Sequence, residues 1–434
     1  MELEISLLLF GVFFALVIVG VPVPFCIGLG TISAMLAIFP YGNALTITAQ
    51  RMAVGMDSFV LLAIPFFVLA GMLMSNGGIA MRLVRFSEML LGRVPGSLLH
   101  VNILSNMLFG AISGSAAAAA AAVGSTLSPI QKKLGYDPTL YTSANISSCI
   151  TGALIPPSTP LIVYSLSAGG VSIAALFVAG YLPGILMGLS VMIVAGILAA
   201  RRHYPRSERP TFRQCVTITL EALPSLMLIV IVIGGILAGV FTATEGSAVA
   251  VVYTFLLSVV FYRSIALKDL PRIMMESIIT TSVVMLMVGL SMGMAWVMTR
   301  AAIPQAVSAG LLSVSDNPII ILLLINLILL VIGLFMDLTP AVLILVPILL
   351  PIVKSLGMDP IHFGIMMIFN LCIGVITPPV GTSLFVGCSV SGVRVQDIIK
   401  PILPFYFGLI TVLAMVIYIP ELSLFLPRLL GLTN

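Results

Sequence analysis

The chain reads PIQKKLGYDP at residues 129–138 and PIVKSLGMDP at residues 351–360, 222 positions later. The register continues without a gap. Gly152 falls on Gly374, Pro156-Pro157 on Pro378-Pro379, and Gly170-Val171 on Gly392-Val393. Proline removes a backbone donor and clashes with the preceding turn, so a double proline breaks a helix. Two such breaks at one spacing, each inside an apolar segment, predict two discontinuous membrane helices in a duplicated unit. Matched interruptions of this kind point to the binding site of a transporter.

Composition sets the class around that repeat. Of 434 residues, 60% are hydrophobic and only 8% are charged, with mean hydropathy +1.25. Soluble domains carry about 25% charged residues, so this chain cannot coat itself against water. Its apolar runs are continuous and near the ~20 residues of a spanning helix, not short and alternating as in a barrel. An all-α polytopic membrane protein is expected, seated in a lipid bilayer. The first segment follows Glu2 and Glu4, lacks a basic leader, and runs into Pro22 and Pro24 without a small-residue cleavage site. It reads as a retained span.

The net charge of +4 is spread over loops and is no nucleic-acid footprint, so no nucleic acid is expected as a partner. Cys26, Cys149, Cys215, Cys372 and Cys388 are scattered in apolar surroundings without a CxxC pair and read as packing residues. His100, His203 and His362 stand alone. The chain has no P-loop, HExxH or nucleophile elbow. It offers no paired constellation for ATP-driven transport or intramembrane proteolysis, and it is not expected to be an enzyme.

Apolar stretches run at 4–20, 25–40, 59–75, 98–131, 139–168, 174–200, 223–240, 245–262, 273–299, 317–353, 361–391 and 402–426. Those at 98–131 and 317–353 are too long for one span. Their polar centres are Ser113-Gly114-Ser115 and Met336-Asp337-Leu338-Thr339-Pro340. These predict two re-entrant hairpins, a backbone form tolerated at membrane depth only where protein or a cavity surrounds it. Ser115 falls on Asp337 at the same offset of 222.

Five predicted spans separate the hairpins, so the second enters from the opposite face and the repeat is inverted. The model places 15 of the 19 Lys and Arg on the face the first hairpin enters, Arg201, Arg206 and Arg209 among them. Arg51, Arg300, Lys354 and Arg428 take the other face. The basic face is cytoplasmic by the positive-inside rule, which leaves both termini outside. Segment 78–97 groups Arg82, Arg85 and Glu88 on one helical side and reads as an interfacial arm. The organisation expected is scaffold and arm (1–97), a first transport half (98–200), scaffold and arm again (201–316), and a second transport half (317–434).

Broken helices leave free carbonyls at one half's C-terminus, suited to Na⁺. They leave free N–H groups at the other half's N-terminus, suited to an anion. In the first repeat the tip supplies Ser113 and Ser115, and the break supplies Gly152, Ile155, Pro156, Ser158 and Thr159. In the second the tip supplies Gly333, Asp337 and Thr339, and the break supplies Gly374, Thr377, Pro378, Gly381 and Thr382. Hard oxygen donors are what Na⁺ prefers, while Gly and Ser also serve close helix packing. Asp337 is the sharpest candidate: a mid-membrane carboxylate costs about 2.5–3.5 kcal/mol on insertion scales and needs a partner. Helix capping is its other reading. Glu245 divides between a cap and a site in the same way. Asp137 and Asp359, each before proline, read as helix starts. Asn145 and Asn370 lie on the broken helices but do not coincide at the repeat offset.

With these residues in view, the chain resembles the large membrane subunit of the tripartite ATP-independent periplasmic (TRAP) transporters. The segments that carry the likeness are LLAIPFFVLAGMLMSNGGIAMRL (61–83), FGAISGSAAA (109–118), LIPPSTPLIVYS (154–165), GYLPG (180–184), FTATEGSA (241–248) and GVITPPVGTSLFV (374–386). FTATEGSA departs from the family's usual proline after the first threonine. The resemblance implies a bacterial inner-membrane importer with an elevator-type, inverted-repeat fold, driven by Na⁺ with no organic cofactor. Its cargo would be an organic acid such as a sialic acid or a C4-dicarboxylate. A periplasmic substrate-binding protein and a separate small four-helix membrane subunit would be its partners. Na⁺ positions carry over to Ser113 with Gly152 and Ile155, and to Gly333 and Asp337 with Gly374 and Thr377; the repeat adds Ser115, Pro156, Thr339 and Pro378. The starts of the second half-helices place substrate contacts at Ser158, Thr159, Gly381 and Thr382. The runner-up is a stand-alone ion-coupled carboxylate transporter or antiporter of the same architecture.

Overall fold

The computed structural model describes residues 2–200, 202, 204, 210–315, 317–378 and 380–433. Arg201, His203, Arg206, Arg209 and Pro379, named above, lie outside them. Every regular element described is helical.

The first half runs α1 (Glu2–Val19), α2 (Val23–Ile38), α3 (Tyr41–Met56), α4 (Ala63–Asn76) and α5 (Ile79–Leu91). It continues with α6 (Ser97–Ser113), α7 (Ala116–Lys133), α8 (Pro138–Cys149), α9 (Thr151–Leu154), α10 (Thr159–Ser167) and α11 (Ile173–Ala200). The second runs α12 (Phe212–Leu237), α13 (Ala243–Phe255), α14 (Leu270–Arg300), α15 (Ile303–Val314) and α16 (Pro318–Gly333). Then come α17 (Leu338–Ser355), α18 (Pro360–Gly374), α19 (Thr382–Ser391), α20 (Val395–Tyr418) and α21 (Glu421–Leu429). Among the described residues, seven helical stretches are long and apolar enough to cross a membrane. An eighth forms if α8–α9 and α10, bent by 46° at residues 155–158, count as one span. Five of these eight lie between the two helix pairs α6–α7 and α16–α17.

The repeat is visible in the helix boundaries themselves. α7 and α17 begin at Ala116 and Leu338 and end at Lys133 and Ser355, while α8 and α18 both open on an Asp-Pro pair. Packing between the halves is reciprocal. α10 packs on α17 as α19 packs on α7, and α11 packs on α18 as α20 packs on α8. Exchange of partners is the mark of a twofold relation. At its centre the Cys372 thiol lies 3.8 Å from the carbonyl of Ile150, its own equivalent 222 positions earlier. A residue touches its own counterpart only beside the symmetry axis.

Local chemistry explains the helix starts. Asp137 accepts from the Thr139 N–H at 2.9 Å, and Asp359 accepts from the Ile361 N–H at 2.7 Å, each ahead of a proline at the first helical position. Glu245 and Thr242 form a reciprocal capping box at α13, so Glu245 is a cap and not part of the site. α5 is amphipathic: it buries Ile79, Leu83 and Val84 and exposes Arg85, while Leu90 is also exposed. Three readings change. α3 and α15 are helices where no apolar stretch was expected. The last stretch divides at Ile419-Pro420 into α20 and α21. In the second hairpin the break is 334–337, so Thr339 belongs to the first turn of α17.

Asp137 also joins the end of α11 to the hairpin base. Its carboxylate meets the Arg202 guanidinium at 2.5 Å, beside stacked Tyr136 and Tyr204 with ring centroids 4.1 Å apart. Burial pulls this carboxyl upward, but hydrogen bonds from Arg202 and Thr139 outweigh it and hold it below the ordinary carboxylate range. A depressed carboxylate stabilises the fold above its unfolded pKa of about 3.9, and the gain is lost as pH falls through the lower folded value. Thermal unfolding in detergent between pH 6 and pH 3 should therefore fall more steeply for the wild type than for Arg202→Gln. Parallel curves would exclude the pair as a source of acid sensitivity.

Candidate functional site

The first tip is Gly114-Ser115, between α6 and α7, and it sits against the break at Ile155–Ser158. Gly114 is left-handed (φ +63°), and a Cβ there would lie 2.5 Å from the Pro157 carbonyl oxygen. Both conformation and space require glycine. The Pro156-Pro157 peptide is cis. Further down, α6 and α9 touch backbone to backbone: a Cβ on Gly110 would meet the Gly152 Cα at 2.4 Å. Gly71 of α4 covers the tip from outside, with room for a Cβ only 3.2 Å from the Ser113 carbonyl oxygen.

The polar side chains divide by what they do. Ser113 is 6% exposed and its hydroxyl has no hydrogen-bond partner among the described residues. A buried hydroxyl without a partner is costly, a state Ser113 shares with Ser97, Ser105, Thr142 and Ser147 in the same half. Ser115 is engaged, accepting from the Ala118 N–H to cap α7. Ser158 stands at the N-cap of α10 but turns back and donates to the Ala153 carbonyl across the break. The first turn of α10 is therefore left without a side-chain cap. Thr159, half-buried, occupies that turn.

The second tip and break are joined by two hydrogen bonds. The Thr382 hydroxyl donates to Asp337 at 3.2 Å, and the Val380 N–H donates to the Leu334 carbonyl at 3.3 Å. Asp337 also accepts from the Leu338 N–H at 2.9 Å and so caps α17. Its side chain is exposed, as is Thr382. Gly333 and Gly374 repeat the glycine contact, with a Cβ on Gly374 falling 2.6 Å from the Gly333 Cα. A Cβ on Gly381 (φ +22°) would lie 3.0 Å from the Thr377 carbonyl oxygen and 3.2 Å from that of Val375. Carbonyls therefore gather around this residue. Thr377 spends its hydroxyl on Ile373, 2.6 Å away. Pro378 and Thr339 are half-buried beside the site. α19, like α10, has no side-chain cap, whereas α7, α8, α17 and α18 all do.

Asn145 and Asn370 do not reach the tips. Each clamps its broken helix to a hairpin arm. Asn106 of α6 donates to Asn145 at 2.9 Å and to Ser148 at 2.8 Å, and Asn145 in turn donates to the Ala120 carbonyl of α7. Asn370 donates to the side chain of Asn326 on α16 at 2.9 Å. The sequence reading missed Asn102, Asn106 and Asn326. An Asn pair one helical turn apart in an apolar arm, as at 102 and 106, was the available signal. Removing Asn106 leaves several buried oxygens without a donor, so Asn106→Leu should cost about 1–2 kcal/mol. Unfolding in detergent measures it, and an unchanged melting temperature would show that the clamp contributes nothing.

A model of the family described as "Tripartite ATP-independent periplasmic transporter, DctM component" matches residues 10–422. The chain belongs to this family. It is a bacterial multi-pass TRAP permease component and a transporter protein, not an enzyme. It is 54% identical over 423 residues to the uncharacterized protein YgiK of Salmonella typhimurium, covering 98% of this chain and 97% of that one. It is 38% identical over 414 residues to the sialic acid TRAP transporter large permease SiaM of Vibrio cholerae, covering 95% and 96%. Among solved structures it resembles the Alcanivorax borkumensis YdaH transporter, with TM-score 0.61 and 14% identity over 87% of this chain and 88% of that one. At that identity the likeness is one of fold: an all-helical, multi-span membrane protein.

Proposed function

We propose that this TRAP permease imports an organic acid of the sialic acid or C4-dicarboxylate class together with Na⁺, by an elevator movement. The observation that carries the reading is the pair of tip-and-break sites about one pseudo-twofold axis, each beside an uncapped helix. An uncapped N-terminus offers N–H groups and a positive dipole end to a carboxylate. The turns before it offer oxygens to a hard cation.

In this reading Na⁺ is cargo. Its first site gathers Ser113, whose hydroxyl is buried and unpaired, with the backbone of Ser115, Gly152, Ile155 and Pro156. Its second gathers Asp337 and Thr339 with the backbone of Gly333, Gly374, Thr377 and Pro378. The substrate carboxylate lies between Ser158-Thr159 and Gly381-Thr382. The Asp337–Thr382 hydrogen bond ties the cation site to the substrate side, so filling one orders the other. That is how coupling arises from this geometry.

Five candidate spans between the hairpins support an inverted repeat whose hairpins are re-entrant from opposite faces. Residues 98–200 and 317–434 form the moving part, and 1–97 and 201–316 the scaffold with its arms. Both termini are then periplasmic. The tripartite family implies a periplasmic binding protein and a small four-helix membrane subunit. Uptake into proteoliposomes tests this dependence. The chain with both partners should accumulate the organic acid, and the chain alone should not. Accumulation by the chain alone would replace this reading with a stand-alone carboxylate transporter.

A further inference from the structure

A cavity of mixed lining lies away from the hairpin tips. It has a volume of about 360 Å³ and is lined by Arg51, Ser58, Leu166, Met292, Trp296 and Thr299, among others. Its position follows from helix packing. α3 contributes Arg51, Val54 and Gly55, Ser58 lies in the extended turn after it, and α14 contributes Met292, Ala295, Trp296 and Thr299. The α14 set has the i, i+3, i+4, i+7 spacing of one helical face, and Arg51, Val54 and Gly55 share one face of α3. The faces are drawn together because Gly55 has no side chain: a Cβ there would lie 2.3 Å from Met292 Cγ. Beyond that contact the helices leave a space, which Leu166 near the end of α10 closes from the transport half.

The lining has two kinds of surface. The Arg51 guanidinium sits 5.3 Å from the centre of the Trp296 ring, and Phe39 backs that ring at 6.1 Å. Arg51 forms no ion pair among the described residues, and Asp57 in the turn after α3 does not line the cavity. An exposed Arg on an aromatic face keeps several N–H groups free for a carboxylate. Ser58 adds a hydroxyl on the same wall, the Thr299 hydroxyl donates to the Ala295 carbonyl at 2.9 Å, and Trp296, Met292 and Leu166 offer apolar area. The volume is at the low end of the ~300–1,000 Å³ of small-molecule sites. In the proposed topology Arg51 is one of four basic residues on the outer face. The cavity bridges scaffold helices and the helix that leads away from the first break.

We propose that this cavity is a second, weak site for an organic carboxylate at the outer mouth. The carboxylate is held by Arg51 with Ser58, and the carbon body lies on Trp296 and Met292. It would receive the anion before the hairpin site does. The outer placement rests on the import reading above; the site itself rests on the cavity.

Trp296 is the only tryptophan in the chain, so its emission reports this cavity alone. The full chain in phosphatidylcholine vesicles is titrated with succinate, N-acetylneuraminate and gluconate. At least one should give a saturable change, weakened by at least about tenfold in Arg51→Gln and partly restored in Arg51→Lys. The response should persist in Asp337→Asn, which alters the hairpin site. The proposal is overturned by silence toward all three acids, by an Arg51→Gln response equal to wild type, or by loss of the signal in Asp337→Asn. A response to phosphatidylglycerol vesicles alone also overturns it, because the cavity would then hold a lipid headgroup. The two readings fail separately. An Arg51-dependent signal in a protein without Na⁺-driven uptake keeps the site and removes the import reading. Uptake with a silent Trp296 does the reverse.

Discussion

Asp337→Asn is expected to raise the Na⁺ concentration for half-maximal uptake by at least about tenfold while leaving the protein folded. The structure separates the two roles of this side chain. As a cap it accepts from the Leu338 N–H, and as a link it accepts from Thr382. Both bonds use one oxygen, which asparagine also has, and asparagine caps helices about as well as aspartate. Only the charge disappears. A tenfold shift corresponds to about 1.4 kcal/mol, a modest demand on a carboxylate facing a monovalent cation. Unfolding should stay within about 0.5 kcal/mol of wild type. Uptake titrated with Na⁺ at constant ionic strength measures the shift. An unchanged Na⁺ dependence would return Asp337 to a purely capping role.

Gly152→Val is expected to abolish uptake and to destabilise the protein by about 1–3 kcal/mol. A Cβ at this position would fall 2.6 Å from the Gly110 Cα, where the obstacle is backbone and cannot rotate away. α6 and α9 would have to separate, carrying the tip away from the break that completes the first site. Gly310→Ala is the control. Gly310 lies inside α15 with nothing within 4 Å of its missing Cβ, so the exchange should be neutral or slightly stabilising. Uptake and unfolding of both variants decide the matter. Near-normal transport by Gly152→Val would mean that the glycine contact does not hold the site together.

Sequence alone was enough to find the repeat, the polar turns that part α6 from α7 and α16 from α17, and the first broken helix. Each rests on local signals: proline in an apolar run, Asp-Pro helix starts, a polar break in an overlong span. The helix starts at Ala116 and Leu338 even keep the offset seen in the sequence. What was hidden depended on partners. α3 escaped because Thr46, Thr48, Gln50 and Arg51 interrupt its apolar pattern, although α2 and α14 pack against it. The asparagine clamps escaped because the two halves reach the same end from different positions: Asn145 corresponds to a methionine and Asn370 to a serine. Ser158, expected at the substrate, instead donates its hydroxyl to the Ala153 carbonyl across the break, a partner no local pattern reveals. Composition also gave no hint that Ser113 is buried and unpaired while Asp337 is exposed.

That last contrast makes the two proposed cation sites chemically unequal, one neutral and one anionic. The central claim is that substrate and Na⁺ move together through them. The most direct measurement is the entry of radiolabelled Na⁺ into proteoliposomes holding the permease, its small subunit and the binding protein, before and after substrate is added. Substrate should trigger Na⁺ entry in the wild type, and the response should be much reduced in Asp337→Asn. Substrate uptake with no accompanying movement of Na⁺ would contradict the account.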